Sequence, residues 1–136
     1  MGKEAGMDGV ETIIHNNIKI AVVHCDAPVM GDADSALEFC LAVKYETGCD
    51  RIVVPKEAFA ESFYILSTGQ AGEILQKFIN YHIKIGIYGD FSKYAATSKP
   101  LRDFIYESNK GADVSFMKTA EEAVEKLGNA SLDEHR

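Results

Sequence analysis

Two neighbouring hydroxyl groups stand in the turn Ser67-Thr68-Gly69-Gln70, just before a run of apolar residues at helical spacing. We therefore predict that they lie at a helix N-terminus, where free N–H groups and the helix dipole favour a phosphate. Ser67 followed by Gln70 has the pattern of a capping box, which makes Ser67 the expected N-cap and leaves Thr68 exposed. The turn is then either a plain helix cap, the commoner use of such residues, or a cap combined with a phosphoacceptor at Thr68.

Two glycines, Gly69 and Gly72, fall in the first turn of the same predicted helix. Glycine destabilises a helix relative to alanine, so we expect a close approach by a strand, a ligand or a partner to compensate for it. Packing of the helix on a sheet is one such approach, and a phosphate cradle is another. No Lys-Ser/Thr pair follows the glycines as a P-loop requires, which favours packing.

Further along this helix, polar residues recur at spacings of three, four and seven, so they share one face. They are Glu73, Gln76, Lys77 and Asn80. Such a stripe is commonly a solvated face. A second polar group, Arg102 with Asp103, Glu107 and Asn109, lies on another predicted helix. Contact between Arg102 and Glu73 would form a structural network as readily as a catalytic one.

Polar side chains also stand where predicted strands end, the edge at which α/β proteins bind ligands. These residues are His24, Cys25, Asp26, Lys56, Asp90 and Ser92. Asp26 and Asp90 are the candidates for an enzyme that acts on a small molecule or a nucleotide. Adjacent strand residues point to opposite faces, so His24 and Cys25 do not both reach one metal ion. We predict no metal and no cofactor, and the pattern identifies no catalytic residue.

The elements that position these residues follow the order ββαβαβαβα. Asn16-Asn17 joins strands 11–15 and 18–23 as a hairpin turn, because asparagine tolerates positive φ. Strands 51–54, 83–88 and 114–117 alternate with helices, the first of which spans 33–47 and the last of which ends near Gly128. Strands separated by helices imply right-handed crossovers, and so a mostly parallel α/β sheet with one antiparallel edge strand. We predict one domain over residues 10–128, with tails at 1–9 and 129–136.

Composition limits the possible partners. The chain has 136 residues and a net charge of −7, which disfavours a nucleic acid or an anionic membrane. Its apolar runs are too short to cross a bilayer, and its N-terminus lacks a leader pattern, so we expect a cytoplasmic protein. The three cysteines have neither disulfide nor zinc spacing. A protein partner, a small-molecule ligand and a homo-oligomer all remain open.

The element order and the stretch Leu-Ser-Thr-Gly-Gln-Ala-Gly, residues 66–72, resemble the STAS-type fold of anti-anti-sigma factors and of the cytoplasmic domains of sulphate transporters. In that family a strand leads into a turn similar to D-S-S-G-L-G. The resemblance implies a regulatory module whose turn a partner kinase phosphorylates. Leu66 stands where the family usually has Asp.

Two longer strings, TGQAGEILQKFINYHIKIGIYGD and LRDFIYESNKG, are similar to the uncharacterised bacterial family called domain of unknown function 4180. This resemblance implies a small bacterial protein and supplies no activity. Our leading hypothesis is a non-enzymatic STAS-like regulatory or interaction module. It would present the helix at 67–80 to a kinase-like or sigma-regulatory partner, or to a small ligand. The alternative is the small-molecule or nucleotide-binding enzyme described above.

Overall fold

The fold starts with a β-hairpin. In the computed structural model, which describes the backbone of residues 9–134 and the side chains of residues 9–129, β1 (Val10–His15) pairs antiparallel with β2 (Ile18–Val23). The turn residues Asn16 and Asn17 have φ of 56° and 66°. Both values lie in the left-handed region that a type I′ turn needs, so the predicted hairpin is confirmed.

Three more strands extend the sheet in chain order: β3 (Arg51–Pro55), β4 (Lys84–Tyr88) and β5 (Val114–Met117). Each pairs in parallel with the strand before it, and β1 and β5 are the two edges. The predicted mixed sheet, parallel except for one antiparallel edge strand, is confirmed.

The helices are α1 (Ala33–Thr47), α2 (Gln70–Asn80), α3 (Ser92–Ala95), α4 (Lys99–Lys110) and α5 (Ala120–Glu134). Short 3₁₀ turns, Lys56–Ala58, Glu61–Tyr64 and Leu66–Thr68, lead from β3 to α2. Asp32 caps α1 by accepting a hydrogen bond from the Ser35 N–H at 2.8 Å, and Gly48 ends it with a φ of 77°. Thr119 caps α5 in the same way, accepting from the Glu122 N–H at 3.1 Å.

The helices are distributed unequally over the two faces of the sheet. Right-handed crossovers between strands laid down in chain order place their helices on one face, where α1, α2 and α4 share one core with the sheet. On the other face α5 is the only described helix that covers Ile20, Val22 and Val53, which it contacts with Val124 and Leu127. None of the described helices is long and apolar enough to cross a membrane.

Two details of the helices differ from the sequence predictions. Spacings of three and four along 33–47 predict that Leu37, Cys40 and Leu41 share the buried face. The buried stripe of α1 is instead Ala36, Cys40 and Val43, and Leu37 and Leu41 are only half-buried. Helix α5 continues to Glu134 instead of ending near Gly128. A Cβ at position 128 would overlap the ring of His15, so this glycine allows α5 to approach β1 and does not stop the helix. Residues 1–8 of the predicted N-terminal tail lie outside the described chain.

Candidate functional site

The turn before α2 is built differently from the predicted capping box. Gly69 has a φ of 77° and directly precedes the helix. The Thr68 hydroxyl accepts from the Gln70 N–H at 3.2 Å and lies 2.8 Å from the Ile65 carbonyl, to which it donates. Ser67 is exposed in the 3₁₀ turn and makes no capping bond. The prediction of Ser67 as the N-cap was therefore wrong, because the left-handed Gly69 starts the helix later than the sequence pattern indicates. Thr68 is exposed as predicted, although its hydroxyl is engaged with the backbone.

Neither glycine of this turn is explained by packing on the sheet. Gly69 supplies a left-handed conformation that residues with a Cβ rarely adopt. Gly72 is exposed, and a Cβ there would meet no heavy atom within 4 Å. The expected close approach is therefore missing at both positions within the described residues.

The polar stripe of α2 faces outward as predicted. Glu73, Gln76 and Asn80 are exposed and Lys77 is half-buried, while Ile74, Leu75 and Phe78 on the opposite face are buried. The Gln76 amide donates to the Asn80 amide oxygen at 2.9 Å. Arg102 does not join this stripe, because its guanidinium donates to the Ala95 carbonyl at 2.6 Å. The structure thus separates Arg102 from the α2 residues that the sequence analysis grouped with it.

A cleft of about 700 Å³, here called the β4–β5 cleft, opens at the carboxyl ends of those two strands. Helix α4 forms one wall, and the segment that follows β4 forms the other. The cleft is lined by Gly89, Asp90, Phe91, Ser92, Ala95, Arg102, Ile105, Tyr106, Asn109 and Lys118. Of the predicted site residues, the structure brings Asp90 and Arg102 together here.

Two cations and one carboxylate face the β4–β5 cleft. Arg102 is oriented by the bond to Ala95, which leaves its remaining N–H groups for a ligand. The Ser92 hydroxyl and the Ser92 N–H, the latter 3.0 Å from the carboxylate, lower the pKa of Asp90, and nearby Lys56 and Lys118 lower it further. Asp90 is therefore ionised at neutral pH, and Arg102 and Lys118 together outweigh its charge.

Aromatic rings form the apolar part of the β4–β5 cleft. Phe91 packs edge-on against Phe116 with ring centroids 5.4 Å apart, and Phe104 supports Phe116 from its other side at 6.0 Å. Tyr106 lies at the rim, 65% exposed. A flat ligand could therefore contact Phe91 at the inner end and Tyr106 at the outer end.

Asn109 fixes the wall of the cleft to the sheet. Its side-chain amide donates to the Phe116 carbonyl at 3.1 Å, and its amide oxygen accepts from the Phe116 N–H at 2.7 Å. This pair of bonds imitates the pairing of a neighbouring strand and ties the end of α4 to β5. Asn109 thus lines the cleft as a structural group, because both ends of its amide are already engaged.

Comparison with known proteins places this architecture in a family. The family model described as Domain of unknown function (DUF4180) matches residues 15–127. The chain belongs to this family. The matched region begins at the last residue of β1 and contains every residue of the β4–β5 cleft. No curated protein and no solved structure matches the chain.

Asp26, the second carboxylate that we assigned to an enzyme, does not line the β4–β5 cleft of this DUF4180 chain. It borders a separate cleft of about 290 Å³, together with Lys56, Glu61 and Tyr94. Strand β3 lies between β2 and β4, the strands that precede Asp26 and Asp90. Among the described residues, the two carboxylates therefore line different clefts.

Tyr94 organises that second cleft of the DUF4180 fold. Its ring stacks on Tyr64 at 4.9 Å, and its hydroxyl donates to Glu61 at 2.5 Å. Burial and the bond to Glu61 raise the pKa of Tyr94 to about 12, and the same bond lowers the pKa of Glu61. The Lys93 ammonium lies 5.0 Å from the Tyr94 ring centroid. These contacts engage the polar groups with one another, which is typical of a structural cluster.

The remaining strand-end residues do not assemble a metal site. The Nε2 atom of His24 lies 2.6 Å from the Oε2 atom of Glu11 in β1. Cys25 is half-buried, and burial is the main cause that raises its thiol pKa. No group of three or more potential metal ligands occurs among the described residues.

Sequence reasoning missed the cation and the aromatic rings that Lys118, Phe91 and Tyr106 contribute to the β4–β5 cleft. Lys118 follows the end of β5 just as Asp90 follows β4, so the strand-end argument could have found it. Phe91 and Tyr106 carry no such signal, because aromatic residues at those positions are equally consistent with a core.

Proposed function

We propose that this protein is a binding domain for a small anion that carries a flat ring, and that the β4–β5 cleft is its binding site. The observation that carries this proposal is the pairing of Arg102 and Lys118 with the aromatic side chains of Phe91 and Tyr106 in one cleft. A volume of about 700 Å³ suits a molecule of nucleotide or aromatic-acid size.

The charges of the cleft favour an anion bound by hydrogen bonds. Arg102 has a planar set of donors that matches a carboxylate or a phosphate, and Lys118 adds a mobile ammonium. Asp90 can accept from a hydroxyl or an amine of the same ligand. A ligand with an anionic end and a neutral hydrogen-bonding end would therefore use all three groups.

The same groups favour binding over catalysis. General acid–base catalysis near neutral pH needs a group whose pKa lies close to that pH. The hydrogen bonds and nearby cations that hold the Asp90 carboxylate lower its pKa, which moves it further from that range. Asp90 therefore suits the orientation of a ligand better than it suits proton transfer.

The test compares adenosine monophosphate, adenosine and inorganic phosphate as ligands in thermal-shift and calorimetric titrations. We expect the monophosphate to bind more tightly than either of its parts, because the cleft contacts both its ring and its anion. Lys118→Gln is expected to weaken that binding by about tenfold, the effect of losing a charge-assisted hydrogen bond. An aromatic carboxylate such as benzoate tests whether a carboxylate replaces the phosphate.

Lys99→Gln is the matched control, because Lys99 is exposed on α4, pairs with Asp103 and does not line the cleft. Its binding constants should equal those of the unmodified chain. If none of these anions binds, or if both lysine variants bind alike, the cleft is not an anion site.

Gly72 favours a second candidate function, an interaction module that presents the exposed face of α2. A glycine inside an exposed helix lowers helix stability by about 1 kcal/mol relative to alanine, and no contact in the described structure compensates for this. A protein surface that lies close against α2 would account for it. By the STAS resemblance, the partner would be kinase-like or sigma-regulatory, and the protein would act as a bacterial regulator in the cytoplasm.

A bulky residue at this position tests the second candidate. Gly72→Arg is expected to raise the free energy of unfolding by about 1 kcal/mol, because arginine is a better helix former and has open space here. It should also abolish affinity capture of any partner that binds α2. Glu107→Arg, an equally exposed change on α4, should leave capture unchanged. If the unmodified chain, Gly72→Arg and Glu107→Arg capture a partner equally well, α2 is not the surface that binds it.

A further inference from the structure

The two edge strands of the sheet differ in whether their outward backbone N–H and C=O groups have hydrogen-bond partners. At the β5 edge, the Asn109 side chain occupies the N–H and the C=O of Phe116. At the β1 edge, six consecutive residues pair with β2 without a bulge, and β1 pairs with no other strand among residues 9–134. Natural proteins commonly protect an open edge with lysine, proline or a bulge, and β1 has none of these.

The hairpin register shows which backbone groups of β1 are free. His15 and Ile18 flank the two-residue turn, so they form a hydrogen-bonded pair, and such pairs then alternate along the strand. The His24 N–H donates to the Gly9 carbonyl, which confirms this alternation at the other end of β1. Odd-numbered residues therefore bond to β2. The N–H and C=O groups of Val10, Thr12 and Ile14 point away from it.

The surface next to this edge combines exposed isoleucines of β1 with a cleft that also carries Glu121 and Glu125 of α5. Ile14 is 71% exposed, and Ile13 lies on the opposite face of the strand at 37% exposure. Ile13 borders a cleft of about 380 Å³ between β1 and α5, together with Val22 and Val124. An added strand would cover Ile14 on one face and this cleft on the other.

We propose that β1 pairs antiparallel with β1 of a second copy of this chain, which joins the two sheets into one of ten strands. The two-fold axis passes through Ile13, so that Thr12 of one copy and Ile14 of the other exchange backbone hydrogen bonds. The two Ile13 side chains then lie side by side over the clefts next to α5.

Charge complementarity selects a second copy and this register. Glu11 and His15 lie on the same face of β1, and the Ile13-centred register places Glu11 of one copy opposite His15 of the other. One oxygen of the Glu11 carboxylate contacts His24 of its own chain, so the other oxygen is the one that faces His15. The alternative five-pair register, centred on Thr12, places Glu11 opposite Ile13. Within β1, no like charges face each other across the axis in either arrangement.

The experiment measures the mass of the full chain by analytical ultracentrifugation over the micromolar concentration range. We expect a dimer of twice 14.9 kDa. Thr12→Pro removes an outward N–H and spares the hydrogen bonds to β2, and Ile14→Lys places a charge on the edge. Each variant should weaken dimerisation by about tenfold or more. Ile65→Lys, at a 50% exposed isoleucine away from the sheet, is the matched control and should remain a dimer.

Each other outcome overturns the proposal. A chain that stays monomeric at every concentration has no β1 pairing. If it dimerises only after residues 1–8 are removed, that segment covers the edge instead. A dimer that persists in Ile14→Lys uses another surface, and this variant decides the question even if Thr12→Pro fails to fold. Circular dichroism of every variant shows whether the fold is retained.

Discussion

Replacing Phe63 with alanine is expected to lower the free energy of unfolding by about 3–5 kcal/mol. Phe63 is only 1% exposed. Its ring stacks on Phe59 at 4.1 Å and meets Tyr64 edge-on at 4.9 Å. The alanine variant would leave a cavity among rigid rings and short 3₁₀ turns, which cannot collapse to fill it. Urea unfolding followed by circular dichroism measures the loss.

Phe63→Leu separates the loss of volume from the loss of the ring. Leucine keeps much of the side-chain volume, so we expect it to cost about 1.5 kcal/mol. Tyr64 carries the aromatic contacts onward to Tyr94 and Phe91, so the alanine variant should also weaken ligand binding in the β4–β5 cleft. A loss below about 1 kcal/mol for the alanine variant would contradict the cavity argument.

The second large effect is expected at Gly86 in the middle of β4. A Cβ there would lie 3.2 Å from the Ala123 Cβ of α5 and 3.3 Å from the Ser115 hydroxyl oxygen. Gly86→Val adds three carbons to this contact and should push α5 away from the sheet, at a cost of about 3 kcal/mol. Thermal and urea unfolding of the purified variant measure this loss in the free energy of unfolding.

A double-mutant cycle checks the cause of that loss. Gly86→Ala alone should cost about 1 kcal/mol, because one methyl group meets Ala123. Ala123→Gly makes room for that methyl group and destabilises α5 by about 1 kcal/mol. If the contact is responsible, the double variant is more stable by about 1 kcal/mol than the two single losses predict. Simple additivity would show that crowding against α5 is not the cause.

The parts of the fold that the sequence predicted are those that local chemistry determines. Asn16-Asn17 has the positive φ values that a hairpin turn needs. Asp32 and Thr119 are residue types that favour helix caps, and each caps the helix that follows it. Each signal lies within a few residues of the element it defines. Together with the alternation of strands and helices, these signals were enough to predict the order of the elements and the mixed sheet.

The errors arose where distant residues decide the local structure. Gly128 looked like a helix stop, but it is a contact between α5 and β1, which are far apart in sequence. Ser67 and Gln70 have capping-box spacing, yet no side chain caps α2. The Thr68 hydroxyl instead accepts from the Gln70 N–H and lies within hydrogen-bonding distance of the carbonyls of Ser62 and Ile65. Neither outcome follows from spacing alone.

The candidate site was predicted in part for the same reason. Asp90 was found because it follows a strand, and Arg102 because it belongs to a polar cluster and to a string shared with the family. Their meeting depends on how the segment between β4 and α4 folds back, through α3 and the bond from Arg102 to Ala95. That path is set by tertiary contacts, so no local signal in the sequence places these two residues in one cleft.

The unequal covering of the two faces of the sheet has a consequence for the synthesis of the protein on the ribosome. Every crossover helix is added to one face as synthesis proceeds, whereas the other face waits for α5, the last of the described elements to be made. A nascent chain that has reached β5 can already pair its strands, but Ile20, Val22 and Val53 still face water. Chaperones recognise such a surface, and a message truncated before the codons for α5 would yield a product prone to aggregation. Translation through the last helix is therefore the step that converts a paired sheet into a stable domain.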